Sequence, residues 1–255
     1  GFEYLYVAEG NNVEKLVEAF EKVKDTKCPI VVHIKTLKGC GLAQAEENKE
    51  AFHWILPGTL DEDKGSVDFV ENYTSLTRQY ILDKAKEDKT VIAVNAGTPG
   101  VFGFDKEFRN SLGVQYTDVG IAEEHGVAYC SALAKGGAKP IFAVMSSFVQ
   151  RTYDQISQDL CLNNSPVTML IYWGGISGAD ATHLCTFDIP LISNIPNMVY
   201  LAPANKEEYL AMLDWSLEQT EKPVAIRVPN VELISTGVED KTDYSVVKFK
   251  VVEQG

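Results

Sequence analysis

The segment "DVGIAEEHG" (118–126) sets two carboxylates and an imidazole, Glu123, Glu124 and His125, in a stretch that is otherwise small and apolar. Acids are favoured in the first turn of a helix by its dipole, so surface decoration at a helix start is one reading. A buried acid is the other. Neighbours on a helix lie about 100° apart, so the two glutamates cannot share a face. Glu123 aligns with Gly126, Val127, Cys130 and Ala134, an apolar stripe, whereas Glu124 looks toward Val127, Ala128, Ser131 and Lys135, a more mixed one. A carboxyl buried in such a stripe is able to hold or share a proton, the state that acid–base chemistry uses. A structural hydrogen bond fits the same pattern.

Other chemistry-bearing residues are sparse. The chain of 255 residues carries 36 acidic and 23 basic side chains, a formal net charge of -13 at pH 7. That balance argues against nucleic acid and against anionic membranes as partners, since both need basic patches. The arginines are Arg78, Arg109, Arg151 and Arg227, so sites for anions must be few. No run approaches the roughly 18 apolar residues of a membrane span, and no signal peptide opens the chain. Cys28, Cys40, Cys130, Cys161 and Cys185 are odd in number, scattered and mostly in apolar context, which suits reduced thiols in a cytoplasm better than a disulfide frame or a zinc site. His33 sits in the middle of an apolar run and reads as a satisfied core residue. The clusters "GTPG" and "GGISG" read as backbone turns. The chain starts "GFEYLYVAEG" and stops at "VVEQG" in mid-strand, like a piece of something longer.

The elements that must position these residues follow an α/β pattern. Val13, Leu16, Val17, Phe20 and Val23 recur at helical spacing, and "PIVVHIKT" (29–36) is a continuous apolar run expected as a buried parallel strand. Residues 37–73, rich in Gly and charged residues, read as a long loop and interdomain linker. A second series begins near Thr74: "TSLTRQYILDKAKED" as a helix capped by Ser or Thr, "TVIAVNAG" as a strand, and "EEHGVAYCSALAKGG" as a helix. Then come "KPIFAVMSS" (strand), "FVQRTYDQISQDLCLNN" (helix), "SPVTMLIYWGG" and "NMVYLAPAN" (strands), "KEEYLAMLDWSLEQT" (helix) and "KPVAIRVPN" (strand). Alternation of this kind predicts an α/β fold with a mostly parallel sheet and helices on both faces, with ligands bound beyond the carboxyl ends of the strands.

In that order, "DVGIAEEHGVAYCSALAKGGAKPIFAVMSSFVQRTYDQISQD", "PVTMLIYWGGISGADATH", "FDIPLISNIPNMVYLAPAN" and "PVAIRVP" closely resemble the pyrimidine-binding domain of the transketolase superfamily, with 1-deoxy-D-xylulose-5-phosphate synthase as the nearest family. The resemblance implies the thiamine diphosphate-binding fold. It places residues 1–55 as the tail of a diphosphate-binding domain, 56–73 as a linker, 74–235 as the pyrimidine-binding domain and 236–255 as the start of a C-terminal domain.

It also implies thiamine diphosphate as cofactor. Glu123 matches the glutamate that bonds the aminopyrimidine ring nitrogen and sets its tautomer, so the cofactor can form the carbanion that attacks a ketone or 2-oxoacid. Phe148 matches the aromatic residue that stacks on the pyrimidine, with core packing as its bland reading. Arg151 matches an arginine at the active-site mouth; a structural pair with Asp154 is the alternative. Asp180 and His183 in "GADATH" match a loop that faces substrate, where His183 would give a proton to a new alkoxide, unless it is simply a solvated loop histidine. His53 in "AFH" matches a histidine near the reaction centre. Glu124 is expected to support Glu123 by hydrogen bonding or to lie at a subunit contact.

The expected activity is two-carbon transfer from a 2-oxoacid or ketose donor to an aldehyde acceptor, in a homodimer. Four positions depart from the family: Tyr172-Trp173 stand where it has Asp-Arg, Asn230 stands for an arginine, and Met145 for a tyrosine. The two arginines are expected to hold an acceptor phosphate, so the acceptor here is expected to differ. The "GADATH" loop is also one residue shorter. The motif that holds Mg²⁺ and the diphosphate is absent, so those ligands are expected upstream in the same longer chain or in a separate subunit. Alternatives are a split transketolase, a relative of the 2-oxoacid dehydrogenase beta subunit, and a non-catalytic assembly subunit.

Overall fold

The computed structural model describes residues 1–53, 71–175, 183 and 185–246. The chain divides into two units, Gly1–Asp68 and Phe69–Gly255. Most of the expected linker therefore lies outside the described residues.

In the first unit, β1 (Glu3–Val7) and β2 (Ile30–Ile34) pair in parallel, joined through α1 (Val13–Val23) and followed by the short α2 (Ala43–Glu47). Asn12 caps α1 by accepting from the Lys15 amide at 3.2 Å. The helical spacing of the apolar residues is realised, but Val13, Val17 and Phe20 are exposed, and β2 alternates between half-buried and exposed. The expectation of a fully buried strand is thus corrected: with one strand partner among the described residues, half of its side chains have nothing to cover them. His33 is corrected with it. Its ring is exposed, 2.5 Å from the Tyr4 hydroxyl.

The second unit is built on β3 (Val91–Asn95), β4 (Tyr116–Asp118), β5 (Lys139–Met145), β6 (Thr168–Gly174), β7 (Val199–Leu201) and β8 (Val224–Pro229). They form one sheet in the order β4-β3-β5-β6-β8-β7, with every pairing parallel. The helices are α3 (Tyr73–Glu87), α4 (Lys106–Leu112), α5 (Glu123–Lys135), the one-turn α6 (Tyr153–Gln155), α7 (Asp188–Ser193) and α8 (Lys206–Glu218). Successive strand side chains point to opposite faces. Ala93, Ile141, Leu170 and Ile226 accordingly pack with α3, α4 and α8, whereas Val94, Phe142, Ile171 and Ala225 pack with α5, α7 and the residues around α6. Both faces are covered, which is why these strands read as unbroken apolar runs. An ideal Cβ at Gly126 would meet Phe142 at 2.7 Å, so only glycine lets α5 lie this close to β5.

Local chemistry redraws several expected boundaries. Helix α3 is capped by Asn72 rather than by Ser or Thr: its side chain accepts from the Ser75 amide at 2.9 Å, and Ser75 Oγ accepts from the Asn72 amide in return. The helix expected over 148–164 is a composite. A 3₁₀ turn (Val149–Thr152) leads into α6 and then into a π-helical stretch (Ile156–Cys161). The Thr152 hydroxyl donates to the Val149 carbonyl at 2.7 Å, a local bond that competes with the regular ladder. Strand β4 and helices α4 and α7 lie outside the expected elements, although Asp105 caps α4 by accepting from the Phe108 amide at 2.8 Å. After β8 the chain is fastened to α8: Glu207 accepts from the Ser235 hydroxyl (2.5 Å) and the Thr236 (3.0 Å) and Gly237 (3.1 Å) amides. These bonds hold its carboxyl down to about 2. Of the expected start of a C-terminal domain, 236–255, residues 247–255 fall outside the described residues.

All five cysteines are free. Cys130, Cys161 and Cys185 are buried, Cys28 is half-buried and Cys40 exposed. Burial pushes the Cys161 thiol up to about 11 and that of Cys130 higher still.

Candidate active site

In a parallel sheet the carboxyl ends of the strands share one edge, and α5 starts from that edge after β4. Asp118 ties the exit of β3 to this start: one carboxylate oxygen accepts from the Gly97 amide at 2.9 Å and the Gly120 amide at 2.8 Å. Helix α5 has no side-chain cap, and Glu123 and Glu124 occupy its first turn.

Glu123 is 3 % exposed, which decides between the two readings of "EEH" in favour of burial. Its Oε2 accepts from Arg151 Nη1 at 2.8 Å, while Arg151 Nη2 lies 3.2 Å from Glu124 Oε1. Arg151 therefore spans both glutamates, and Glu124 supports Glu123 through this shared guanidinium. The pair with Asp154 considered from sequence is replaced by this one. The Arg151 side chain keeps 45 % of its surface open to solvent, so the carboxylate is covered by a side chain that has room to leave.

Phe148 stands immediately before the turn that carries Arg151, and the Arg151 amide donates to its carbonyl at 3.2 Å. Its half-buried ring meets that of His183 edge-on, centroids 5.5 Å apart and planes at 69°. Beside it, Ser147 Oγ is buried without a hydrogen-bond partner among the described residues. The structure thus gathers Glu123, Arg151, Phe148 and His183 from three separate parts of the sequence. Asp180 lies outside the described residues. His53 belongs to the first unit, where it is exposed and accepts from Lys38 Nζ at 2.6 Å.

At the departures from the expected motif, Met145 and Tyr172 are buried and Asn230 is exposed. Trp173 has φ 62°, a left-handed conformation costly for a bulky residue, and the register between β6 and β8 shifts between Ile171 and Gly174. One polar cluster escaped sequence reasoning: Asp188 is fully buried against Arg227 and Tyr200. Its signal was available, because a lone arginine inside the apolar strand "VAIRVP" requires a partner.

A fully parallel sheet covered on both faces, with a buried glutamate opening a helix at its carboxyl edge, defines an α/β protein with its candidate site at the strands' carboxyl ends. The chain belongs to the transketolase family: the model for "Transketolase, pyrimidine binding domain" matches residues 72–234. Among curated relatives, 1-deoxy-D-xylulose-5-phosphate synthase of Clostridium botulinum (strain Eklund 17B / Type B) is 36 % identical over 256 residues, covering all of this chain and 41 % of that protein. 1-Deoxy-D-xylulose-5-phosphate synthase 1 of Geobacter metallireducens is 39 % identical over 235 residues, covering 90 % of this chain and 37 % of its own length. The chain thus spans about two-fifths of the curated relatives it matches. Among solved structures, transketolase from Campylobacter jejuni has a TM-score of 0.55 at 16 % identity, covering 91 % of this chain and 47 % of that one. A split-gene transketolase, described as an inactive beta4 tetramer, has a TM-score of 0.55 at 21 % identity, covering 67 % of this chain and 56 % of its own. These structures share the fold.

Proposed function

We propose that this chain supplies the pyrimidine-binding half of a thiamine diphosphate site, in an enzyme that transfers a two-carbon unit from a 2-oxoacid or ketose to an aldehyde. The observation that carries the reading is Glu123: a carboxylate 3 % exposed, at the first turn of α5, covered by a half-exposed arginine. The residues present fit the group. They offer a carboxylate for a ring nitrogen, the Phe148 ring for an aromatic face, and in Ser147 Oγ a buried polar atom that lacks a partner among the described residues.

When bound, thiamine diphosphate supplies a carbon nucleophile that adds to a carbonyl. Glu123 holds a proton at the pyrimidine ring nitrogen and so selects the tautomer. Phe148 fixes the plane of the ring. His183, held against Phe148, gives or takes a proton at the substrate oxygen, with Asp180 and His53 proposed to act on the same substrate. Arg151 turns from Glu123 toward the carboxylate or phosphate of a substrate, for which its fork of donors is suited. With Trp173 and Asn230 in place of two arginines, the acceptor phosphate site is altered and the acceptor aldehyde is expected to differ. Among the described residues no group of three or more metal-ligating side chains occurs, and we assign Mg²⁺ and the diphosphate to a further domain or subunit. The working form is a cytoplasmic homodimer. The substitutions at 145, 173 and 230 favour a second reading, an assembly subunit that binds cofactor without turnover.

The test is calorimetric titration of thiamine diphosphate with Mg²⁺ into the complete protein and its Glu123→Ala variant. Loss of one hydrogen bond to a charged group is expected to weaken binding about 10–100-fold. Equal binding by both proteins overturns the role of Glu123. Binding of thiamine diphosphate by the complete protein, with no product formed from donor and aldehyde, supports the assembly reading.

A further inference from the structure

The Glu123 carboxylate has one hydrogen-bond partner among the described residues, Arg151, whose Nη1 donates to Oε2 at 2.8 Å. A carboxylate this deeply buried needs a partner, because one left bare away from water carries a large desolvation cost. A ligand nitrogen can therefore take Glu123 only by replacing the arginine. The arginine is built to be replaced. Its backbone is pinned: its amide donates to the Phe148 carbonyl at 3.2 Å, and the Thr152 hydroxyl closes the same turn on Val149. Its side chain is nearly half in solvent, and its Nη2 already lies 3.2 Å from Glu124 Oε1, on a side chain 39 % exposed. Leaving Glu123 strands no charge on the arginine, which keeps Glu124 and gains water.

Two unequal carboxylates thus stand on one guanidinium. Glu123 is inside, and Glu124 is at the rim. An anion arriving from solution is a carboxylate of the second kind: it meets the open side of the same fork and offers the same paired oxygens.

We infer that Arg151 is a latch that couples two ligands at this edge. In the free protein it closes on Glu123. It opens when a carboxylate anion, of the class of the proposed 2-oxoacid donor, draws it outward and leaves Glu123 to the cofactor's ring nitrogen. The inference rests on the reading of Glu123 as the partner of that nitrogen. Each ligand removes the other's competitor, so each raises the other's affinity by the same factor, with no contact between them required. A residue that merely propped Glu123 in place would do the reverse, since its removal would weaken cofactor binding.

The test is calorimetric titration of thiamine diphosphate with Mg²⁺ into the complete protein, in sodium lactate and in sodium chloride of equal ionic strength. Lactate carries the carboxylate of a 2-oxoacid but no carbonyl for the cofactor to attack, and the matched salt removes screening as a cause. Lactate is expected to tighten binding to the wild type about 5–20-fold, in the lower part of the range for coupled sites because the latch is nearly half in solvent. Arg151→Met is expected to bind thiamine diphosphate tighter than the wild type does in chloride, by a similar factor, and to ignore lactate. Glu124→Gln removes only the hold at the rim and keeps the test open should Arg151→Met lose its fold; it is expected to tighten binding about 2–5-fold. Wild-type affinity unmoved by lactate overturns the inference, as does a folded variant of either kind that binds no tighter. The Arg151 Nε–H NMR signal, assigned by its loss in Arg151→Met, reads the latch without cofactor and should move with lactate. If it moves in a protein that binds no thiamine diphosphate, or whose binding survives Glu123→Ala, opening by an anion stands and the proposed function falls; if it stays still, the latch falls.

Discussion

Two arginine–carboxylate clusters flank the same sheet edge, and they are built to opposite specifications. Arg151 bridges Glu123 and Glu124 with nearly half its side chain in solvent, from a 3₁₀ turn rather than a regular helix. Arg227 holds Asp188 with both partners inside, on a central strand and with a tyrosine completing the carboxylate. An ion pair that is open on one side trades one partner for another at little cost, because water is there to take over. A closed pair has no such exchange, since separating it strands a charge in the core. The difference teaches which cluster a ligand can displace and which one a ligand must find already in place.

The comparison breaks most visibly at Asp188. Asp188→Ala leaves the Arg227 charge buried and is expected to cost about 3–5 kcal/mol in chemical denaturation, a large share of a domain's stability. Acid gives the next largest contrast. Burial alone would raise the Asp188 carboxyl, but its bonds from Arg227 and Tyr200 outweigh that and hold it below the ordinary value. A carboxyl lowered in the folded state contributes stability in full above its unfolded value of about 3.9 and loses it as pH falls through the folded one. The fall in unfolding free energy between neutral pH and about pH 2.5 should therefore be smaller in Asp188→Asn than in the wild type. Arg151→Met removes a cation that is nearly half in solvent but leaves Glu123 buried, so it is expected to cost about 1–3 kcal/mol, less than Asp188→Ala. If it instead destabilises as much as Asp188→Ala, the two clusters are not different in kind. Salt sharpens the contrast at the smallest scale: at about 1 M, double-mutant coupling between Arg151 and Glu124 should fade, and that between Arg227 and Asp188 should persist.

The open cluster was legible in the sequence and the closed one was not, for physical reasons. Glu123 could be picked out because helical periodicity places it on the stripe of Gly126, Val127 and Cys130, and Phe148 and Arg151 because they match residues of the family the sequence resembles. Strands β3, β5, β6 and β8 were plain because both faces of the sheet are covered, so their residues are mostly apolar. The partner of Arg151 was missed since it lies 28 residues away, on a different element. The Asp188–Arg227 pair spans 39 residues and leaves no periodic trace. β4, three residues long, is too short for any pattern, and the cap at Asn72 was passed over for the hydroxyl residues beside it. In the first unit the rule that apolar runs are buried failed, because that rule presumes neighbours on both faces.

The burial of the cysteines has a practical side. A thiol reagent attacks the thiolate, which Cys130 and Cys161 scarcely form at neutral pH and which no bulky reagent reaches at Cys185. Cys40 stands in the open. A maleimide dye added to the native chain should therefore mark the first unit rapidly and leave the second dark until it unfolds, so that the slow wave of labelling becomes a clock for the opening of the six-stranded sheet.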